Sequence, residues 1–256
     1  MRCPNGAMLA LLLPGQFSDA AITIARASGR VSHKPNRIQG MPGAVAVTKC
    51  PRTRICAEAV SARLLSSGRH VVFFEADGAG GRELEAAIRG GQIGAVIEVS
   101  LAELAAELLQ TDYGAGRNRL TAAAIAGIPQ IITLGGLDAA RIGPDYDVEE
   151  RHVAFFENAR FILTTPAEND RLGQEIAFKA SAASTPPSLI VPRGGLSSLD
   201  VAGGTFWQPE SDSALVRSLR NWLTPSVRVH EVPAHINDER CAEYIVACFC
   251  EIAALH

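Results

Sequence analysis

Short apolar runs alternate with amphipathic stretches from about residue 44 to the end of the chain. The runs at 44–47, 71–74, 93–99, 130–134, 161–163, 188–191 and 227–232 are too short for core helices and read as buried strands. Between them the apolar positions take helical spacing. Val60 and Leu64 share a face within 54–66. Leu84, Ala87 and Ile88 do so after Gly81, and Leu215, Leu219, Trp222 and Leu223 within 211–223. Further helices are expected at 101–109, from about 119 to 126, and from 238 to 255. Thr165-Pro166-Ala167-Glu168 combines an N-cap Thr, Pro at the first helical position and Glu at the third, which marks another helix start. Such alternation predicts βαβ units, and so an α/β, Rossmann-like three-layer fold with a mainly parallel sheet.

Two stretches break the rhythm. Residues 135–158 include Pro144, Asp145 and Asp147 and read as a long polar flap. Residues 1–40 are interrupted by Pro14, Gly15, Pro35 and Gly40, and only 17–27 could make a helix. They are expected to form an irregular N-terminal segment, with 41–256 as the ligand-binding domain.

Composition narrows the function without naming it. A chain of 256 residues that is 47% hydrophobic and 20% charged can bury a sizeable core. A net charge of -3 gives no electrostatic reason to expect a nucleic acid or an anionic membrane as partner. No run approaches the length of a transmembrane helix. The six cysteines include no C-x-x-C pair, so they read as reduced thiols in a core and not as a zinc site. Residues 7–13 faintly resemble a secretory signal, but no cleavage site follows, and the expectation is a cytoplasmic protein.

Candidate chemistry lies just after the strands. Gly78-Ala79-Gly80-Gly81-Arg82 could cradle a phosphate or carboxylate with its backbone N–H groups, and Arg82 could add charge. Ser100-x-x-Glu103 is either a helix capping box or part of a site. Lys49, Arg52 and Arg54 bring three cations near a helix start. Gly135-Gly136-Leu137-Asp138 offers a carboxylate for a sugar hydroxyl, and Arg193-Gly194-Gly195-Leu196-Ser197 resembles a second anion nest. In His235-Ile236-Asn237-Asp238, Asn237 reads as the helix cap and His235 as the best general acid or base in the chain. If the runs form one parallel sheet, all these loops leave its carboxyl edge, where open α/β sheets bind ligands.

Taken in order, these loops resemble a known series. With Gly127-Ile128-Pro129-Gln130, Gly143-Pro144 and Thr164-Thr165-Pro166-Ala167-Glu168-Asn169 they look like the C-terminal domain of the ATP-binding proteins related to the tomato mosaic virus resistance protein, an uncharacterised family. The resemblance runs from about residue 43 to the end; His-Ile-Asn-Asp and Gly-Gly-Leu-Asp are its most specific parts. It implies a second α/β domain in front, which 1–40 are too short to make, and ATP as a candidate ligand. The chain departs from the series in its basic 49–54 stretch and in Leu163, where relatives tend to place Arg.

The expectation is therefore a domain that binds a nucleotide, or another phosphate- or carboxylate-bearing small molecule. Gly78, Gly80, Gly81, Arg82, Ser100, Gly135, Gly136, Asp138, Arg193, Gly194, Gly195, Ser197, Asn237 and Asp238 would hold it. Two alternatives stand beside it. One is a non-catalytic interaction module; the other is an enzyme acting on a small organic acid, with His235 and Glu103 in proton transfer. A domain that normally has a similar neighbour is also expected to form a homodimer.

Overall fold

The computed structural model describes residues 43–148 and 150–254. The irregular 1–40 segment and its helix at 17–27 lie outside the described residues. Six parallel strands form the main sheet: β1 (Ala44–Lys49), β2 (Val71–Glu75), β3 (Ile93–Glu98), β4 (Gln130–Thr133), and two that follow later in the chain. β1, β3 and β4 are buried almost throughout. A parallel sheet covered by helices on both faces requires continuous apolar runs of this kind.

The polar flap expected at 135–158 instead contains two strands joined by a loop. β5 (Ala139–Ile142), β6 (Val153–Phe156) and β7 (Ala159–Leu163) form a separate antiparallel sheet in the order β5-β7-β6. The run at 161–163 is a strand, as expected, but it belongs to this second sheet. A short apolar run shows that a strand is buried, not which sheet buries it. Glu157 and Asn158 turn β6 into β7 with φ of 44° and 62°. Positive φ at both central residues matches the right-handed twist of a tight hairpin.

The last two parallel strands are β8 (Ser188–Pro192) and β9 (Arg228–Val232), and the main sheet runs β2-β1-β3-β4-β8-β9. The helices are α1 (Arg54–Ser66), α2 (Ala79–Arg89), α3 (Ala102–Leu108), α4 (Thr121–Ala126), α5 (Pro166–Ser181), α6 (Pro209–Trp222) and α7 (Glu239–Ala253). The Thr165 capping box forms as expected at α5. Alternation along the strands divides the core. Ile131 and Ile190 join Val60, Leu64, Ile245 and Phe249 under α1 and α7. Ile132, Leu189 and Val191 join Leu172, Ile176, Leu215 and Leu219 under α5 and α6. The result is a Rossmann-like three-layer α/β fold.

The strand order has one functional consequence. From β1 the chain winds outward to β2, then returns to β3 on the other side of β1 and proceeds to β9. The winding reverses between β1 and β3, so the loops after them depart to opposite faces. A crevice opens at such a switch point, outside the carboxyl ends of the strands. No helix among the described residues is long and apolar enough to cross a membrane.

Candidate functional site

All five candidate loops leave the carboxyl edge of the parallel sheet, following β2, β3, β4, β8 and β9. Their glycines serve close approach between loops. A Cβ on Gly80 would lie 2.2 Å from the Glu75 carbonyl oxygen, and one on Gly135 2.1 Å from that of Val99. Gly195, at φ +122°, would place its Cβ 1.9 Å from the Asp200 carbonyl oxygen. Much of the donor capacity is used internally. The N–H groups of Gly135, Gly136 and Gly194 donate to Thr133 Oγ1 and to the Leu196 and Ala234 carbonyls.

The Gly78–Arg82 loop does cradle a carboxylate, and it is the protein's own. Gly78 N–H donates to Glu103 Oε2 at 3.1 Å, and Gly80 N–H to Asp77 Oδ1 at 2.9 Å. Gly81 has room for no Cβ because the Glu103 carboxylate fills that space. Glu103 also accepts from Arg119 Nε, while the rest of the Arg119 guanidinium is held by Glu98 and Glu85. Glu85 in turn accepts from the N–H groups of Leu120 and Ala122, closing the start of α4. All four side chains are buried. Burial pushes the Glu103 carboxyl above its ordinary value, against the opposing pull of Arg119. The sequence suggests Glu103 for a capping box or for proton transfer; the structure gives its oxygens to Arg119 and Gly78. Arg82 extends to the Gly114 carbonyl.

A second polar cluster joins the loops after β1, β4, β8 and β9. Arg52, 1% exposed, donates to Asp138 Oδ2 at 2.8 Å, to Ser197 Oγ, and to the Gly136 and Ala139 carbonyls. Ser197 Oγ donates to Asp138 Oδ2 at 2.6 Å. His235 has both ring nitrogens engaged: Asn237 N–H donates to Nδ1 at 3.0 Å, which leaves Nε2–H to donate to the Ser197 carbonyl at 2.9 Å. An imidazole held this way orients two loops and has no free nitrogen for a substrate proton. Asn237 accepts from Cys56 N–H and donates to the Arg52 carbonyl and Ser198 Oγ.

Two caps differ from expectation. The N-cap of α7 is Asp238, whose carboxylate accepts from Arg240 N–H, and Asn237 is spent on bridging loops. Ser100 is not the N-cap of α3; Leu101 holds that position without a side-chain cap. The buried Ser100 Oγ has no partner among the described residues, and neither do Asp138 Oδ1 and Arg52 Nε.

Beside these clusters, at the switch point, lies a cavity of about 170 Å³. Cys50 and Arg52 after β1, Ala76 and Asp77 after β2, and Ala102 at the start of α3 form its inner side. The antiparallel sheet covers it with Arg141, Phe156 and Phe161. Arg141 lies over the Tyr113 ring at 4.3 Å, and Arg52 over the Phe161 ring at 4.7 Å. No carboxylate among the described residues pairs with Arg141. The other cations near this opening are neutralised: Lys49 by Glu75, Arg52 by Asp138 and Arg54 by Glu157. Arg193, farther along the edge, faces Glu231 at 3.9 Å.

Residues 43–253 match the C-terminal domain of the uncharacterised protein family UPF0261. The chain belongs to that family. It is 32% identical over 229 residues to the ToMV resistance protein Tm-1(GCR237) of Solanum lycopersicum, covering 87% of this chain and 30% of that protein. It is 33% identical over 220 residues to a UPF0261 protein of Clostridium tetani, covering 84% of this chain and 54% of that protein. A UPF0261 protein of Rhizobium meliloti is 28% identical over 236 residues, 90% of this chain and 59% of its own length. The chain thus spans about a third of the tomato relative and little more than half of these bacterial ones.

Sequence reasoning did not find Arg141, Tyr113 or the aromatic roof. Their only signal was a short Ala-Ala-Arg-Ile run inside a stretch read as a flap.

Proposed function

We propose that this UPF0261 domain binds a small phosphate- or carboxylate-bearing molecule in the switch-point crevice between the parallel sheet and the antiparallel roof. The observation that carries the reading is Arg141. Its guanidinium lies over the Tyr113 ring at a concave opening, free of any carboxylate among the described residues. A guanidinium pre-ordered by stacking loses little freedom when it takes an anion through two parallel hydrogen bonds.

A nucleotide remains within this reading, with its base or sugar inside and its phosphates outward. The fit to an ATP triphosphate is poor. The cavity is smaller than the ~300–1,000 Å³ usual for drug-sized ligands, and Gly78 and Gly80 N–H are already bound to carboxylates.

A melting screen of the full chain tests the reading. ATP, ADP, inorganic phosphate and small carboxylic acids would be added to the parent and to Arg141→Ala. A ligand at about 100 times its dissociation constant adds ~2.7 kcal/mol of stability. The expected result is a melting shift with at least one of these probes that disappears in Arg141→Ala. A flat screen would end the reading.

A further inference from the structure

The interior of the crevice is more selective than its rim. Cys50, Ala76 and Ala102 form a small buried apolar cluster, and Ala106 and Phe161 continue that surface. Small side chains on one side and aromatic rings on the other leave a space of about 170 Å³. A cavity of ~150 Å³ accommodates a benzene ring. Hydroxyl groups set against Cys50, Ala76, Ala102 and Phe161 would lack partners, at a cost of roughly 1–3 kcal/mol each, although Glu75, Asp77 and Glu157 also line the cavity. The body of the ligand is therefore compact and apolar.

At the rim Arg141 is exposed and lacks a carboxylate partner. On the inner side Arg52 Nε–H is buried and has no acceptor among the described residues. Arg52 Nε is closed to solvent, so of these two guanidinium groups only that of Arg141 is placed to meet a ligand oxygen. The carboxylates nearby have partners: Glu75 pairs with Lys49, Glu157 with Arg54, and Asp77 receives Gly80 N–H. Of these carboxylates Asp77 alone lacks a cation among the described residues, as Arg141 alone of the lining cations lacks a carboxylate.

We infer that the crevice takes a small organic carboxylate with a flat or compact apolar body, of the size of an aryl carboxylic acid, with the apolar part among Cys50, Ala76, Ala102 and Phe161 and the carboxylate on Arg141. This rests on the proposed anion site and narrows it: the Cys50–Ala76–Ala102 patch disfavours a sugar, and the cavity volume disfavours a whole nucleotide.

Benzoate is the probe, titrated calorimetrically into the full chain alongside benzamide, ribose 5-phosphate, inorganic phosphate and ATP. Benzoate should bind and raise the melting temperature. Benzamide, the same size without the charge, should bind at least about tenfold more weakly, as should benzoate to Arg141→Ala. Arg141 is exposed, so the unliganded variant should melt with the parent. If ATP, phosphate or ribose 5-phosphate binds through Arg141 and benzoate does not, the carboxylate inference falls and the anion site stands. Equal binding of benzoate to parent and Arg141→Ala would also overturn it. No binding by any probe overturns both readings.

Discussion

Arg52 and Asp138 meet at 2.8 Å, 86 residues apart in sequence and 1% and 6% exposed, and so join the loop after β1 to the loop after β4. Removing one partner of a buried ion pair leaves an uncompensated charge and typically costs about 3–5 kcal/mol. Asp138→Ala should therefore destabilise the domain by about that amount, and Arg52→Met should do so similarly. Urea unfolding of both variants and of the double variant checks this. A double variant much closer to the parent than either single one is the expected signature of a charge left without its partner.

The Glu103–Arg119 network yields an ordering. Arg119→Leu strands three buried carboxylates and should prevent folding at neutral pH, at a cost exceeding about 3–5 kcal/mol. Glu103→Gln keeps an oxygen acceptor in place, and burial already disfavours the charge there, so its cost should stay within about 1.5–3 kcal/mol. Circular dichroism melts of the two would decide. Equal losses would show that the Glu103 charge matters as much as the whole cluster.

Asp212, in the first turn of α6, has its carboxyl pushed up to about 8, first by burial, then by the Asp200 charge, with Asp138 adding to it and Arg193 opposing. The folded state thus holds a proton that the unfolded chain, with an ordinary aspartate near 3.8, releases above about pH 4. Stability from this group is fully present below that pH and is lost as pH rises toward about 8, beyond which it is level. Burial shifts Asp200 in the same direction. Asp212→Asn should flatten this slope and melt above the parent at about pH 8–9. Parallel melting curves across that range would show that Asp212 is not protonated in the folded state.

Glycine positions separate close approach from mere turn geometry. Gly91 has φ +69° with open space around it, so Gly91→Ala should cost only about 1–2 kcal/mol of backbone strain. Gly195→Ala adds a Cβ 1.9 Å from the Asp200 backbone of its own loop and 2.8 Å from the His235 ring of the next, and should cost more, because both must move. Chemical denaturation of the pair measures the gap. A gap near zero would mean that the loops are not in tight contact.

The parallel sheet was legible because its strands are continuous apolar runs and its helices are amphipathic. Thr165, Pro166 and Glu168 announced the start of α5 correctly. The antiparallel roof was not legible, since Glu157 and Asn158 turn its hairpin without the glycine that usually signals one. The cavity was also out of reach, because Arg141 becomes distinctive only when Tyr113, 28 positions earlier, lies beneath it. His235 and Glu103 were readable as residues able to do chemistry. Their bonds to Ser197, Asn237, Gly78 and Arg119, which occupy that ability, depend on tertiary structure.

The contacts between the glycine loops also bear on engineering. Each loop serves as the mould for its neighbour: Gly135 lies against Val99, Gly136 against Ser100 and Ala102, and Gly194 and Gly195 against His235. Grafting one loop from a relative into this edge should therefore fail where transplanting the set together succeeds. The roof is held by fewer such moulds, so libraries aimed at new ligands belong in β5, β6 and β7, with the edge beneath them left untouched.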